Sequence, residues 1–265
     1  MRIDHDLGTG EEIVEQLSTR MKQTIIKAVQ DINRPDLFRE PLIGFSSAND
    51  PSYQELKTII GPWHRLPGEL LDEAVSVISY FVPFTRAVVM GPTSTVDASY
   101  VWGEAYQEIN RQFPVIDQLV SELLHDYGFQ TQTVPPSHTY DPVDLQCYWS
   151  HRSTAVIAGL GRIGANRMVI TDKGSGGRFC SIITTAHLEP NQTVAKERCL
   201  WHINRSCQKC FDICPVNALG PDVMDKFACQ DLLNKYEADL IRTTALESAD
   251  ACGKCISVCP VAYIE

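Results

Sequence analysis

The sequence lacks the features that would place it in a membrane or on a secretion route. No apolar run reaches the roughly 18 residues that a transmembrane helix needs. The start of the chain, Met-Arg-Ile-Asp-His-Asp-Leu-Gly, has neither an apolar stretch nor a small-residue cleavage site. Hydrophobic residues make up 44% and charged residues 21% of the 265, which excludes intrinsic disorder for most of the length. We therefore expect a cytoplasmic globular protein with no membrane partner.

The chain also lacks an excess of basic side chains. Lys and Arg total 23 against 33 for Asp and Glu, which gives a formal net charge of -10. Nucleic-acid binding draws much of its affinity from Lys and Arg side chains that neutralise phosphates. We therefore do not expect a nucleic-acid partner, although a local basic patch could hold an RNA.

Cysteine is the residue type that stands out, with ten in the chain. Two runs share the spacing C-x2-C-x3-C-P: Cys207, Cys210, Cys214 and Pro215, then Cys252, Cys255, Cys259 and Pro260. This duplicated pattern is typical of two [4Fe-4S] clusters of the bacterial ferredoxin kind, in which the last cysteine of each run ligates the other cluster. Zinc is the alternative, because paired C-x2-C runs also form tetrahedral zinc sites.

Two further cysteines are needed to complete eight ligands. Asn204 stands where the usual first run has a cysteine, and the nearest substitute is Cys199; Cys229 lies ahead of the second run. The crossing rule then assigns the ligands to two sets of four. The first set is Cys199, Cys207, Cys210 and Cys259, and the second set is Cys214, Cys229, Cys252 and Cys255.

The other candidate residues favour structural roles. Cys180 lies in an apolar, strand-like segment and is predicted to be a buried thiol. Cys147 could approach a cofactor, but nothing in the sequence requires it. His151, beside an arginine, is predicted to be a satisfied structural residue, and Asp141 and Asp144 to be solvated or turn-capping carboxylates. No catalytic residue is assigned.

Periodicity and breakers predict the order of elements. Helices are expected at residues 11–31, 98–113, 115–127 and 150–158, strands at 75–84, 88–90, 129–134, 168–171 and 179–185, and loop at 35–62. This alternation predicts an α+β fold with an α/β-type N-terminal core, in which helices cover a sheet. We expect that core at residues 1–190 and a ferredoxin-like domain with two [4Fe-4S] clusters at 191–265.

A glycine motif lies near the end of the core. The segment Gly159-Leu-Gly161-Arg-Ile-Gly164 fits the dinucleotide fingerprint G-x-G-x-x-G, but that site needs a preceding strand, a following helix and an acid about 20 residues on. Strand-like residues follow instead, and too little chain remains for such a unit. The glycines are predicted to make a turn or to let the backbone approach a bulky ligand.

One block of sequence, joined to the cysteine pattern, resembles the epoxyqueuosine reductase family and, more closely, its shorter iron–sulfur relatives. The block is Ser-His-Arg-Ser-Thr-Ala-Val-Ile-Ala-Gly-Leu-Gly-Arg-Ile-Gly-Ala-Asn at residues 150–166, followed by Met-Val-Ile-Thr at 168–171 and Ile-Ile-Thr-Thr at 182–185. The match covers about residues 150–260. The resemblance implies an N-terminal domain that holds a cobalamin and two [4Fe-4S] clusters that deliver electrons to the cobalt.

The sequence departs from the family pattern at positions that matter for chemistry. The family's reductases carry an aspartate proton donor before a Glu-Arg pair. In register with that motif, Leu145 takes the aspartate's place and His151 the glutamate's, while Asp144 is one position off. No tRNA-holding extension of the kind found in full-length reductases follows the second cysteine run before Glu265.

Three functions are therefore considered. We expect an iron–sulfur oxidoreductase that passes electrons through two [4Fe-4S] clusters to a cofactor, cobalamin by resemblance, or to a substrate in the N-terminal domain. An electron donor of the ferredoxin or flavodoxin type would be its partner. The alternative is a non-catalytic electron-transfer protein that serves a partner enzyme or corrinoid protein, and the third is epoxyqueuosine reduction on tRNA.

Overall fold

The computed structural model describes residues 10–136, 140–191 and 195–265. The helices are α1 Gly10–Asp31, α2 Pro51–Ile59, α3 Pro67–Leu70, α4 Arg86–Met90, α5 Tyr100–Asp126, α6 His151–Ile157, α7 Leu200–Asn204, α8 Lys209–Asp212, α9 Lys226–Thr243 and α10 Lys254–Ser257. The strands are β1 Leu42–Ser47, β2 Ser76–Pro83, β3 Thr131–Thr133, β4 Gly161–Ile163, β5 Val169–Thr171 and β6 Gly177–Thr184. No helix in these ranges is long and apolar enough to cross a membrane.

A four-stranded sheet in the order β1-β2-β6-β3 forms the centre of the N-terminal core, and each neighbouring pair is antiparallel. Side chains alternate between the two faces of a strand. On β2, Ile78 and Tyr80 therefore pack with α1 and α5, while Val77 and Phe81 pack on the opposite face with α2 and α6. The expected helix-covered sheet is confirmed, and its antiparallel pairing makes the core α+β rather than α/β.

Two expected elements are wrong. Residues 88–90 are not a strand but the end of α4, where Val88 and Val89 are buried; a short apolar run does not distinguish strand from helix by itself. Pro114 does not separate two helices, because α5 runs through it. Phe113 and Ile116 on either side are fully buried, and this burial offsets the hydrogen bond that proline removes, which costs about 3 kcal/mol.

The segment expected to be loop contains β1 and α2. Gly44 misled the prediction because glycine usually interrupts a strand. Here it permits a close approach: a Cβ at this position would lie 2.6 Å from the carbonyl oxygen of Ala158 and 2.9 Å from Leu160 Cδ2. The glycine therefore lets the turn after α6 pack against β1.

The glycine motif forms a turn and a hairpin, which confirms one of the two expectations for it. Helix α6 precedes it and the hairpin of β4 and β5 follows, the reverse of the strand–turn–helix order that a dinucleotide site requires. Gly159 has φ +74°, and a Cβ on Gly161 would lie 2.5 Å from the carbonyl oxygen of Ile170. The motif therefore gives a tight turn and a hairpin whose tip is residues 164–168.

The cysteine-rich region, residues 195–265, is attached to the core near its carboxyl end. Ser175 and Gly176 donate backbone hydrogen bonds of 3.0 Å to the carbonyl oxygen of Ala262. The guanidinium of Arg39 donates to the carbonyl oxygen of Ile264 at 2.6 Å and lies 4.4 Å from the ring centroid of Tyr263. The division at residue 190 and the ferredoxin-like architecture of this region stay predictions.

Candidate metal centre

The four thiols of the first set lie around one cavity. Cys199, Cys207, Cys210 and Cys259 all line it. The pKa of Cys210 is raised to about 11, chiefly by burial, with smaller contributions from the neighbouring sulfurs of Cys259, Cys199 and Cys207 in that order. The fold thus brings Cys199 and Cys259, which lie far apart in the sequence, to the same cavity.

The shell of this cavity is apolar and includes the hairpin tip. Ala165, Ile170, Trp201 and Val261 line it beside the thiols. The backbone N–H of Ala165 donates to Cys199 Sγ with an N–S distance of 3.4 Å. An N–H group aimed at sulfur stabilises the thiolate and, in iron–sulfur proteins, is one determinant of reduction potential.

The second set is also drawn together. Burial raises the pKa of Cys229 to about 11, with further contributions from Cys252 and Cys214. The pKa of Cys255 is raised chiefly by burial. Neighbouring sulfurs add smaller contributions, which decrease in the order Cys252, Cys229, Cys210 and Cys214. Cys255 therefore faces its own set and also Cys210 of the first set, which places the two sets next to each other.

Local backbone features position the second set. The N–H of Ala218 donates to Cys214 Sγ at 3.2 Å. Gly253, between Cys252 and α10, has φ +72°, and a Cβ there would lie 2.6 Å from the Trp102 ring. Only glycine combines that backbone conformation with so close an approach, so Gly253 fixes how α10 and its Cys255 meet the core.

Raised thiol pKa values have a chemical consequence. Because their pKa values are raised, Cys210, Cys229, Cys252, Cys255 and Cys259 are protonated at neutral pH in the metal-free protein, and a metal must displace these protons to bind the thiolates. Within the described ranges, no three His, Cys, Asp or Glu side chains are close enough to hold a single metal ion.

Polar side chains of the core lie next to the second set. Desolvation lowers the pKa of Arg152, and Arg178 lowers it further, while Cys147, Cys229 and Cys255 oppose this shift. Arg152 Nη1 donates to the carbonyl oxygen of Arg167 at 2.9 Å. This guanidinium therefore lies between the thiols of the second set and the core.

Beside it, three buried polar atoms of the described residues have no hydrogen-bond partner: Asn110 Oδ1, Arg178 Nε and Asp250 Oδ1. All three side chains act on Tyr106, whose hydroxyl pKa is raised chiefly by burial. The Arg178 guanidinium carbon lies 4.4 Å from the centroid of the Tyr106 ring. Buried polar groups without partners are uncommon, so these four residues (Tyr106, Asn110, Arg178 and Asp250), called the Tyr106 cluster here, have hydrogen-bonding capacity for a polar ligand.

His151 is a satisfied structural residue, as predicted. Its Nε2 donates to the carbonyl oxygen of Pro135 at 3.1 Å, and its Nδ1 accepts from Ser181 Oγ at 2.7 Å. Trp149 Nε1 donates to the same Ser181 Oγ at 3.0 Å. Desolvation lowers the pKa of His151 to about 4, with Arg178 contributing, so the imidazole is neutral at pH 7.

The remaining sequence candidates also take structural positions. Asp141 Oδ1 accepts from the backbone N–H of Val143 at 2.8 Å, and Asp144 Oδ1 from that of Gln146 at 2.9 Å, so both carboxylates cap turns. Cys180 is fully buried. Cys147 Sγ donates to the carbonyl oxygen of Trp149 at 2.8 Å.

Sequence reasoning missed several residues that complete the site. Asn166 is buried, lines the first cavity, and its Nδ2 donates to the carbonyl oxygen of Cys255 at 3.2 Å. It belongs to the block that carries the family resemblance, which was the available signal. The positions of Arg152 and Trp201 beside the thiols follow from tertiary packing, and no local pattern marks them.

Comparison with curated proteins gives two kinds of relative. The epoxyqueuosine reductase of Synechococcus sp. (strain CC9605) is 27% identical over 214 residues, which cover 78% of this chain and 61% of the relative. A tetrachloroethene reductive dehalogenase of Desulfitobacterium hafniense is 29% identical over 119 residues, covering 40% of this chain and 21% of the relative. The chain thus spans less than two thirds of either protein. No family model matches.

Solved structures show the same two groups. An epoxyqueuosine reductase crystallised with an epoxyqueuosine-modified tRNA-Tyr stem loop superposes with a TM-score of 0.55 at 22% identity, over 92% of this chain and 66% of that one. A catabolic reductive dehalogenase gives a TM-score of 0.56 at 14% identity, over 83% of this chain and 30% of that one. The resemblance to epoxyqueuosine reductases expected from the sequence is confirmed, and the fold is shared with both groups.

Proposed function

We propose that this protein is a cytoplasmic iron–sulfur oxidoreductase that holds two [4Fe-4S] clusters in residues 191–265 and passes electrons toward a cofactor or substrate at the N-terminal core. The observation that carries the proposal is the convergence of eight cysteines into two adjacent sets, the first of which lines a cavity. Both reductases and reductive dehalogenases among its relatives support redox chemistry. When bound, such clusters supply one-electron transfer at low potential.

The chain's own groups fit two clusters. The first set would be held by Cys199, Cys207, Cys210 and Cys259, and the second by Cys214, Cys229, Cys252 and Cys255. The N–H groups of Ala165 and Ala218 donate to sulfur, which offsets part of the negative charge of a thiolate-bound cluster. The apolar lining of Ile170, Trp201 and Val261 keeps water away from the first set, and Arg152 adds positive charge beside the second.

Cobalamin is the cofactor that the family resemblance implies. The Tyr106 cluster supports this, because Asn110, Arg178 and Asp250 each present a buried polar atom with unused hydrogen-bonding capacity. A corrinoid carries amide side chains around its ring and matches both the donor and the acceptors. Bound there, it would supply reducing chemistry beside the second thiol set, while Arg178 and Tyr106 orient it.

The test of the clusters is selective loss of iron. We expect Cys210→Ser and Cys255→Ser each to lower the iron content from about eight to about four atoms per chain, with loss of a different electron paramagnetic resonance signal in each variant. Cys180→Ser, which alters a buried thiol outside both sets, is the matched control and should keep all the iron. Unchanged iron in both ligand variants would refute the assignment.

The test of the cofactor is anaerobic titration of the iron-loaded protein with cob(II)alamin, followed by electron paramagnetic resonance. We expect cob(II)alamin to bind tightly and stoichiometrically at the Tyr106 cluster, and Arg178→Gln to weaken this binding. If two intact clusters are present and no corrinoid binds, the result favours the non-catalytic electron carrier or a different ligand at the N-terminal core.

Epoxyqueuosine reduction on tRNA is a second candidate function. It is favoured by the 27% identical relative from Synechococcus and by the likeness to the reductase solved with a tRNA stem loop, and it makes a nucleic-acid partner possible although the charge of -10 argued against one. Expression of the chain in a strain that lacks the reductase tests it directly. Restored queuosine in the tRNA is the outcome that this function requires.

A further inference from the structure

An exposed surface borders the first thiol set. It consists of Leu200, Trp201, Ile203, Arg205 and Lys209, and is called the α7 surface here. Leu200, Trp201 and Lys209 line the thiol cavity itself, and the Arg205 guanidinium carbon lies 4.8 Å from the Trp201 ring centroid. Leu200 and Ile203 are 37% and 54% exposed. Apolar side chains thus reach solvent directly above the thiols.

The charge of this surface is opposite to that of the whole chain. Residues 198–211 contain three basic side chains (Arg198, Arg205 and Lys209) and no acidic one, whereas residues 212–231 contain four acidic side chains and one basic. Arg198 is paired with Asp172. Among the described residues, Arg205 and Lys209 form no ion pair, and both side chains are exposed.

The two thiol sets also differ in what lies beside them. The second set is next to Arg152 of the core. The acidic stretch 212–231 includes two members of this set, Cys214 and Cys229. The first set opens toward the α7 surface. A negatively charged partner is therefore attracted more strongly at the first set than at the second.

We propose that the α7 surface docks an acidic one-electron carrier protein, which reduces the first thiol set's cluster; this rests on the proposed function. In each encounter the carrier is oxidised by one electron and the protein is reduced by one, with no bond made or broken. Leu200, Trp201 and Ile203 supply the apolar contact, and Arg205 and Lys209 supply the charge complementarity that steers association. Electrons then leave through the second set toward Arg152 and the Tyr106 cluster.

The experiment uses an acidic flavodoxin as the probe and the iron-loaded protein. Binding of oxidised flavodoxin is measured by calorimetry, and reduction by flavodoxin hydroquinone by stopped-flow absorbance, at low and at high salt. Arg205→Glu and Ile203→Asp alter the α7 surface. Lys235→Glu and Ile241→Asp make the same changes at exposed positions on α9, where Ile241 is 44% exposed, and serve as matched controls.

We expect Arg205→Glu to weaken binding and to slow reduction about tenfold at low salt, with the difference shrinking as salt screens the charges. Ile203→Asp should slow reduction at all salt concentrations, and both α9 variants should stay within about twofold of wild type. Wild-type rates in both α7 variants, or slowing confined to the α9 variants, would overturn the docking site. Iron content and reduction by dithionite report on the clusters separately: a chain without iron refutes the proposed function itself.

Discussion

In strand β2 of the core all eight residues are buried, whereas α7 of the cysteine-rich region buries none of its five and α8 buries only Cys210. The core has two apolar faces, each covered by helices. In the cysteine-rich region, α7, α8 and α10 have four or five residues each, and helices this short are not stable alone. The core is therefore stabilised by apolar burial, and the cysteine-rich region by its attachment to the core and, on our proposal, by metal.

Removal of iron should separate the two regions most completely. We expect the iron-free protein to lose amide exchange protection across residues 200–217 and 252–259, because folding and metal binding are coupled at such sites. Strands β2 and β6 should keep their protection. Hydrogen exchange with mass spectrometry measures both at once, and equal loss in the two regions would contradict the difference in stabilisation.

A titration inside the core tests its dependence on burial. Tyr80 donates a 2.7 Å hydrogen bond to Asp117, and Cys180 Sγ lies 3.5 Å from the same carboxyl. Desolvation raises the pKa of Asp117 from 3.8 to about 7. Between pH 3.8 and about 7, Asp117 is therefore protonated in the folded state and ionised in the unfolded state. Its contribution to the free energy of unfolding is present at low pH and is lost as the pH rises to 7.

Asp117→Asn should remove this dependence. As the pH rises from 5 to 8, the free energy of unfolding of wild type should fall relative to that of the variant by up to about 3 kcal/mol. The reason is that each pH unit between the pKa of the unfolded state and that of the folded state lowers it by about 1.4 kcal/mol. Denaturant titrations at each pH give the difference. A constant difference across this range would show that the carboxyl has an ordinary pKa.

The attachment between the regions is tested at Gly174. Its φ is +96°, and a Cβ there would lie 2.2 Å from the backbone oxygen of Ala262. Gly174→Ala should lower the free energy of unfolding by about 3 kcal/mol, since strain and displacement of the carboxyl end add. Gly128 has φ +83° but open space around its Cβ position, so Gly128→Ala is the control and should cost about 1 kcal/mol. Similar losses would mean that the clash is relieved without detaching the region.

The smallest expected effect concerns Arg152, the core side chain beside the second thiol set. Arg152→Gln removes a positive charge near Cys229 and Cys255, which should lower the reduction potential of the second cluster by tens of millivolts and leave the first unchanged. Potentiometric titration followed by electron paramagnetic resonance resolves the two. Arg111→Gln, an exposed position on α5, is the control.

The elements that the sequence predicted well are those with one strong signal. Helix α1 has an apolar stripe that includes Leu17, Met21 and Ile25, all buried, and β2 is a continuous apolar strand. The errors at residues 88–90, Pro114 and Gly44 have a common cause. In each case a local preference was outweighed by packing against an element distant in sequence, and a window of neighbouring residues does not contain that information.

The site divides in the same way. The duplicated C-x2-C-x3-C-P spacing marked six of the cysteines, because their geometry is set by local chain turns. Cys199 and Cys229 were added by counting, and their ligand roles stay predictions, although the structure brings both toward their sets. No local pattern marks Arg152 and Trp201, so only the folded chain identifies them, whereas Asn166 belongs to the block that carries the family resemblance.

The crossing of the two sets has a consequence for biosynthesis. Cys210 lies with Cys259, and Cys214 with Cys252, so neither set is contained in one cysteine run. On a ribosome, the first set is incomplete until residue 259 has emerged, and the second until residue 255. If each set holds a cluster, as proposed, a complete site for iron forms only after both runs have been translated, when the core that receives them is already outside the exit tunnel.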